Sequence, residues 1–203
     1  MLAKTPRRSI HARATRVAAG IEVADVASGV SLARAKDHPA VQAMGSASEI
    51  GSWQALFALS ATALALGMVA RDRRLARAGQ NMLAAGIVAS LVKTTIKRTV
   101  HRTRPNVFMD EGLYSRGRPG TGDGPWQSFP SGHAALSVAV ARSVARAYPG
   151  FAAPAYCAAA AIATTQVVRG AHFPADVMAG AVIGIAAEAV SHRPFTDEAR
   201  RHG

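Results

Sequence analysis

The chain has 203 residues, of which 49% are hydrophobic, and its 24 Lys and Arg outnumber its 12 Asp and Glu to give a net charge of +12. This apolar content excludes a disordered chain, and at this length a single domain is expected. Charged residues make up 18%, below the roughly 25% of soluble domains, so a soluble nucleic-acid binder is not expected. A basic, acid-poor and apolar chain favours a membrane protein whose bases lie at the bilayer edges. The single cysteine, Cys157, leaves no internal disulfide.

The first 48 residues form a basic segment. Five basic residues come before the first acidic residue of the chain: Lys4, Arg7, Arg8, Arg13 and Arg16. Glu22 and Asp25 then interrupt the apolar stretch that a cleavable signal peptide needs, so no such signal is expected. Apolar residues from Val17 to Leu32 recur at roughly helical spacing, which predicts an amphipathic helix lying on a membrane or on the rest of the fold. Residues 36–48, which include a proline, are predicted to be a connector.

The middle of the chain contains several apolar stretches. The run between Glu49 and Arg71 carries no charge and is long enough to cross a bilayer. Shorter stretches follow at residues 78–96, 134–148, 151–168 and 177–190. They predict an all-α, multi-pass transmembrane bundle, with an alanine-rich soluble helical bundle as the alternative. Small residues favour close helix packing, and the charges inside the stretches should face protein, water or headgroups: Lys93, Arg142 and Glu188.

Between Thr103 and Pro130 the chain has many turn residues and no apolar periodicity, so a long loop is predicted there, of a length that is usually functional. Lys97 and Arg104 stand at its start. They are seven residues apart, which is two helical turns, so both are predicted on one helix face before Pro105 ends the helix. Such cations could equally be snorkelling residues at a membrane edge.

Two further clusters each precede an apolar helix. In Pro130-Ser131-Gly132-His133, Ser131 suits a helix N-cap, and the free N–H groups of the first turn predict an anion site beside His133. In the second cluster Pro174 suits the first position of the last helix, and Asp176 stands near enough to hold one ring nitrogen of His172. Each cluster taken alone fits an ordinary structural helix start.

Taken together, the three clusters predict one site. If successive apolar helices alternate in direction, all three clusters fall on the same side of the membrane. Cations, two helix N-termini and two histidines then form a phosphate-handling site in which a histidine is a natural nucleophile.

These motifs resemble the signatures of the type 2 phosphatidic acid phosphatase superfamily, over roughly residues 50–192. They are Lys97-x6-Arg104-Pro105, Pro130-Ser131-Gly132-His133 and His172-x3-Asp176. The resemblance implies a lipid phosphatase in which His172 attacks phosphorus to form a phosphohistidine, Asp176 orients it and His133 protonates the leaving oxygen. It also implies which groups hold the phosphate oxygens: Lys97, Arg104, Ser131 and the backbone N–H of Gly132.

One position departs from the family pattern. The family usually places an arginine six residues before the nucleophilic histidine, where this chain has Gln166. Arg169 stands one helical turn later on nearly the same face. We therefore predict that Arg169 binds phosphate in place of the missing cation.

The resemblance also leads to expectations about the domain boundaries, the partners and the location of the protein. Residues 1–48 are predicted to be the basic N-terminal segment, 49–192 the membrane phosphatase domain and 193–203 a polar tail. The expected partners are a lipid phosphate substrate and membrane lipids, without nucleic acid, metal or other cofactor. Arginines at positions 71–77 favour a cytoplasmic loop, which places the site on the outer face of a bacterial inner membrane.

Three alternatives remain at this point. A vanadate-dependent haloperoxidase would use the same site architecture. A non-catalytic protein that binds anionic lipid would need no chemistry at all. A metal could also be held by a histidine, histidine, carboxylate set made of His133, His172 and Asp176. Phosphate release, bromide oxidation with vanadate and sensitivity to a chelator distinguish them.

Overall fold

The chain is described from a computed structural model that gives the backbone of residues 7–201 and the side chains of residues 17–192. Over residues 7–201, eight helices follow in chain order: α1 Arg7–Leu32, α2 Pro39–Ala47, α3 Trp53–Val69, α4 Arg73–Thr99, α5 Pro105–Glu111, α6 Gly132–Ala147, α7 Ala152–Val168 and α8 Pro174–Arg201. Short 3-10 turns lie at Ser48–Gly51, Gly124–Trp126 and Pro149–Phe151. A two-residue strand β1, His101–Arg102, pairs antiparallel with β2, Arg116–Gly117.

The bundle is built around α6, which packs against α4, α7 and α8. Half of the buried residues of α6 are alanines, and the core cluster includes Leu56, Met82 and Leu136. Backbones approach closely where glycines face a neighbouring helix. A Cβ on Gly180 or Gly184 of α8 would collide with backbone oxygens of Ser131 or Ala135 on the α6 side. The predicted close packing of small residues is therefore present.

The chain is a multi-pass transmembrane helical bundle. In the described part of the chain, three helical segments are long and apolar enough to cross a membrane: Arg73–Thr99, Pro149–Val168 and Pro174–His192. A fourth span is possible if Pro39–Gly51 and Trp53–Val69, which are bent by 42° relative to each other, count as one. The predicted stretch at 134–148 is a 16-residue helix. Its length of about 24 Å is shorter than a bilayer core, and it lies among the longer helices.

The charges inside the apolar stretches face protein, as predicted. Glu188 is 1% exposed; its Oε2 accepts a hydrogen bond from Nε of Arg142 at 2.8 Å, and its Oε1 forms an ion pair with Nε of Arg146 at 2.6 Å. Pairing of this kind offsets the cost of placing a carboxylate in a membrane protein.

The helix α1 begins earlier than predicted and turns a different face inward. Glu22 and Asp25 contact the rest of the chain, whereas Val17, Ile21 and Leu32 are 56%, 63% and 53% exposed. These three apolar residues therefore do not pack on the fold. They form a face available to a membrane interface, because the acids have cationic partners on the inner side.

The predicted connector at 36–48 is wrong over most of its length, because α2 occupies residues 39–47. Pro39 is compatible with this helix since it stands in the first turn, where no intrahelical N–H bond is required. Nδ1 of His38 accepts a hydrogen bond from the Ala40 N–H at 3.2 Å and caps the helix. At the other end of the chain, α8 continues to Arg201, and the side chains of the predicted polar tail, 193–203, lie outside the described residues.

Candidate active site

A cavity of about 220 Å³ opens at the end of the bundle where α4, α6 and α8 meet the loops. All three motifs contribute to its wall, as the alternation of helix directions predicted. The predicted site residues that line it are Lys97, Arg104, Gly132, His133 and His172. Glu49 and Lys93, which the sequence did not suggest, line it as well. We call this space the reaction cavity.

Two helix N-termini point toward the reaction cavity as predicted. Oγ of Ser131 accepts a hydrogen bond from the Ala134 N–H at 3.4 Å and caps α6. Pro174 begins α8, which leaves His172 just before the helix and Asp176 in its first turn. The N–H of Ser131 donates to the carbonyl of Asp176 at 2.9 Å, so the two helix starts are joined directly. Together they place partial positive charge at the cavity.

The arrangement of Lys97 and Arg104 differs from the prediction. They do not share a helix face, because α4 ends at Thr99 and Pro105 begins α5 instead of ending a helix. Arg104 is the residue before α5, with extended φ and ψ of −75° and 151°. Nζ of Lys97 donates to the carbonyl of Gln127 at 2.5 Å. The two cations thus reach the cavity from different elements.

His172 is suited to act as a nucleophile. Its side chain is almost fully buried, and Nδ1 lies 2.6 Å from the carbonyl oxygen of Ser128. Because a carbonyl can only accept, Nδ1 carries the proton and Nε2 keeps its lone pair. Burial, followed by the positive charges of Lys97 and Arg104, lowers the pKa of His172 well below its ordinary value. The ring is therefore neutral at neutral pH.

Asp176 does not hold the ring of His172 directly, which corrects the sequence-based expectation. Its Oδ2 is 4.0 Å from Nδ1 of His172. The same oxygen accepts hydrogen bonds from Oγ of Ser128 at 2.5 Å and from the N–H of Phe173 at 2.8 Å. Asp176 thus fixes Ser128, whose carbonyl orients the histidine. No residue pattern in the chain indicates a backbone carbonyl in this role, because every residue has one.

Arg102 is the principal partner of Asp176. Its Nη1 donates to Oδ1 of Asp176 at 2.6 Å, and its guanidinium lies 4.2 Å from the centre of the Phe173 ring. The side chain is 4% exposed. Burial by itself lowers the pKa of Arg102, but the charge of Asp176 and the hydrogen bonds that Arg102 donates to its partners outweigh it and raise the pKa. This arginine lies within the spacer of the first motif, between Lys97 and Arg104.

Helix α1 completes the contacts of Arg102. Nη2 donates to Asp25 at 2.6 Å and to Glu22 at 3.1 Å. Tyr114 donates to Glu22, and burial together with this bond raises the pKa of Tyr114 to about 12. The other oxygen of Asp25 accepts from the Ala175 N–H of α8 at 2.8 Å. The acids that interrupt the apolar pattern of α1 therefore bind the helix to the residues around His172.

His133 faces a carboxylate across the reaction cavity. Its Nε2 is buried without a hydrogen-bond partner among the described residues and lies 3.6 Å from Oε2 of Glu49. Glu49 belongs to the 3-10 turn that precedes α3. The geometry leaves Nε2 available for proton transfer to a bound group.

Lys93 adds a cation to the site. It precedes Lys97 by four residues on α4, so the two side chains lie on one face, and this spacing is the sequence signal that could have identified it. A Cβ on Gly132 would stand 3.6 Å from Nζ of Lys93. The absence of a side chain at Gly132 leaves room for this ammonium beside the first turn of α6.

Arg169 is not among the residues that line the reaction cavity. Its Nη1 donates to Oε1 of Glu49 at 3.1 Å and to the carbonyl of Gly45 at 3.3 Å. Gln166 is fully buried, and its amide donates to Oγ of Ser48 at 3.1 Å. The site thus has a neutral amide at one position and a carboxylate-paired arginine at the other, and phosphate binding by Arg169 stays a prediction.

Within residues 17–192, no three His, Cys, Asp or Glu side chains come together as a metal-binding group. The arrangement that is present consists of cations, helix N-termini and two histidines. Phosphate or a related oxyanion is the chemistry that such groups fit.

The fold and site define a membrane-spanning helical protein with an oxyanion site at one end of its bundle. The sequence profile of the PAP2 superfamily matches residues 78–199, which is more than half of the chain. The chain belongs to the PAP2 superfamily.

Curated relatives are named for their activity. The chain is 34% identical over 98 residues to lipid A 1-phosphatases of Rhizobium etli and Rhizobium johnstonii. These matches cover 48% of the chain and 42% and 40% of the two relatives, so they span about two fifths of each relative's length.

Solved structures share the fold. Aquifex aeolicus LpxE superposes with a TM-score of 0.58 at 22% identity, covering 77% of this chain and 87% of that one. A transmembrane PAP2-type phosphatidylglycerolphosphate phosphatase from Bacillus subtilis gives a TM-score of 0.63 at 20% identity, covering 88% and 87%.

Proposed function

We propose that this protein is a membrane phosphatase that hydrolyses a phosphomonoester or diphosphate on a lipid. The observation that carries the proposal is His172, whose Nδ1 donates to the Ser128 carbonyl at 2.6 Å while the ring lines a cavity with Lys97 and Arg104. A neutral imidazole facing a cation-lined cavity is suited to attack phosphorus. A protein that only bound anionic lipid would not need this orientation.

The proposed reaction has two displacements. Nε2 of His172 forms a bond to phosphorus as the bond to the lipid oxygen breaks, and His133 gives that oxygen a proton. A water then attacks the phosphohistidine, His133 takes a proton from it, and inorganic phosphate leaves. The cations that line the cavity and the backbone N–H of Gly132 at the start of α6 stabilise the charge on the phosphoryl oxygens: Lys93, Lys97, Arg104 and Gly132. These groups supply the stabilisation with no metal.

Lipid A carrying a 1-phosphate is the first substrate to test, because the curated relatives are named for that activity. Phosphatidic acid, phosphatidylglycerol phosphate and a polyprenyl diphosphate complete the panel. The assay is phosphate release by protein purified in detergent, with His172→Ala as the matched inactive variant and a strong chelator in a parallel series. Release by the wild type that His172→Ala abolishes and the chelator spares supports the proposal. No release from any lipid phosphate would favour the binding protein.

We place the site on the outer face of a bacterial inner membrane. The arginine-rich turn between α3 and α4 stands at the opposite end of α4 from the reaction cavity, which supports this orientation. In a Cys157→Ala background, a cysteine at Ser115 should react with an impermeant reagent in intact cells treated to open the outer membrane. A cysteine at Asp72 should react only after the inner membrane is broken. The reverse result would invert the orientation.

A further inference from the structure

A second cavity, of about 320 Å³, lies beside the reaction cavity. Its wall is mainly polar, and the side chains that define it are Gln42, Ser46, Glu49, Arg104, Asn106 and Arg169. Glu49 and Arg104 line both spaces. A molecule whose phosphate lies against Arg104 in the reaction cavity therefore has a neighbouring space for the part that carries the phosphate.

The wall of the second cavity has unmet hydrogen-bonding capacity. Oδ1 of Asn106 and Nε of Arg104 are buried without a partner among the described residues. Gln42 donates through its amide nitrogen to the carbonyl of Lys36 at 2.8 Å, so its amide oxygen remains an acceptor. Unmet polar groups of this kind are costly, and a ligand that satisfies them gains affinity.

The charges in the second cavity largely cancel. Arg169 is paired with Glu49 at 3.1 Å, and Arg104 is shared with the reaction cavity. What remains for a second ligand group is amide and hydroxyl chemistry from Gln42, Ser46 and Asn106. Neutral hydroxyl or amide groups, as on a sugar ring, match this set, whereas a second anionic group would lack an unpaired cation of its own.

We propose that the second cavity binds a neutral, hydroxyl- and amide-bearing headgroup attached to the phosphate that His172 attacks, which makes sugar-linked lipid phosphates the preferred substrate class. This inference rests on the proposed function. Half of its lining residues come from α2 and the adjoining 3-10 turn, which lie outside the matched family region of residues 78–199. The proposed headgroup site therefore combines residues of the N-terminal part with residues of the matched region.

The test compares two phosphate substrates of equal chain length. N-dodecanoyl glucosamine 1-phosphate carries the headgroup, and dodecyl phosphate lacks it. Both are assayed in a polyoxyethylene detergent, because a glycoside detergent would compete for the cavity. Ser46→Leu fills the cavity, and Ala43→Leu makes the same kind of change on an exposed position of α2 outside it.

The quantity compared is the ratio of kcat/KM for the sugar phosphate to kcat/KM for dodecyl phosphate. We expect Ala43→Leu to have the same ratio as the wild type. Ser46→Leu should lower kcat/KM for the sugar phosphate about tenfold, the equivalent of one or two lost hydrogen bonds, and leave dodecyl phosphate within about twofold. Asn106→Ala should also lower the ratio, because it removes a hydrogen-bonding group without filling the cavity. This second variant keeps the test decisive if Ser46→Leu does not fold.

Three results would overturn the inference. In both Ser46→Leu and Asn106→Ala, the ratio of kcat/KM for the two substrates could stay within about twofold of its wild-type value. That result would show that the headgroup does not bind in the second cavity. Ser46→Leu could instead impair phosphatidylglycerol phosphate while sparing the sugar phosphate, which would point to a charged headgroup. If the wild type cleaves neither substrate nor any other lipid phosphate, the proposed function fails and this inference fails with it. Cleavage of dodecyl phosphate without the shift in ratio rejects the headgroup site alone.

Discussion

Nη1 of Arg102 lies 2.6 Å from Oδ1 of Asp176, and both side chains are buried. Asp176 in turn holds Ser128, whose carbonyl accepts the Nδ1 proton of His172. The orientation of the nucleophile is therefore set by a chain of contacts that begins outside the signature motifs. Helix α1 takes part, because Glu22 and Asp25 hold the other guanidinium nitrogen.

Arg102→Lys should lower kcat about 10- to 100-fold with KM changed by less than about threefold. A lysine keeps the charge but cannot bridge Asp176 and Asp25 at once, whereas the phosphate-binding cations are untouched. Arg102→Gln should lower kcat further and reduce stability by about 3–5 kcal/mol, because it leaves the charge of Asp176 buried without its cationic partner. Steady-state kinetics and thermal unfolding measure both effects. Equal kcat in wild type and Arg102→Lys would show that Arg102 does not position the site.

Lys97→Met should move the acid limb of the pH profile of kcat/KM to higher pH. His172 attacks as the neutral ring, and its depressed pKa keeps it neutral until the pH falls well below the ordinary value of about 6.5. Removing the Lys97 charge removes one cause of that depression, so the ring takes up a proton at a higher pH. Arg77→Met, at the far end of α4, serves as the control and should leave the limb unmoved. An unchanged limb in Lys97→Met, or one moved to lower pH, would contradict the assignment.

Arg169→Ala should raise KM about tenfold, an effect of roughly 1.4 kcal/mol. The contact at 3.1 Å indicates the reason: without Arg169, the charge of Glu49 faces the phosphate unneutralised. The double variant Glu49→Gln/Arg169→Ala should then recover a KM within about threefold of Glu49→Gln alone, because no charge is left to neutralise. Failure of the double variant to recover would favour direct phosphate binding by Arg169, as the sequence predicted.

Gly180→Ala should destabilise the fold by about 1–3 kcal/mol and reduce phosphate release per folded molecule. A Cβ there would collide with the carbonyl oxygen of Ser131 and displace the turn that carries Gly132 and His133. Gly20→Ala on α1 is the matched control, since a Cβ at Gly20 meets nothing within 4 Å. Thermal unfolding and the phosphate-release assay are the measurements. Equal stability of the two variants would mean that α6 and α8 do not need this close approach.

Local chemistry determined much of what the sequence predicted. The apolar stretches, the Ser131 cap and Pro174 at the start of α8 depend on hydrophobicity and on backbone groups within a few residues, so their pattern is visible along the chain. The convergence of the three motifs on one cavity followed from helix alternation alone. Family membership followed from the same short motifs.

Tertiary structure decided which groups meet. Arg102 contacts Asp176, Asp25 and Glu22 across 74, 77 and 80 residues of sequence, and no local pattern encodes such pairs. The orientation of His172 depends on a backbone carbonyl, which every residue possesses, so residue type could not reveal it. The same distinction applies to the net charge of +12, which follows from composition alone. Which of the basic residues face the phosphate is decided by folding, because the role of a cation depends on whether a carboxylate is already paired with it.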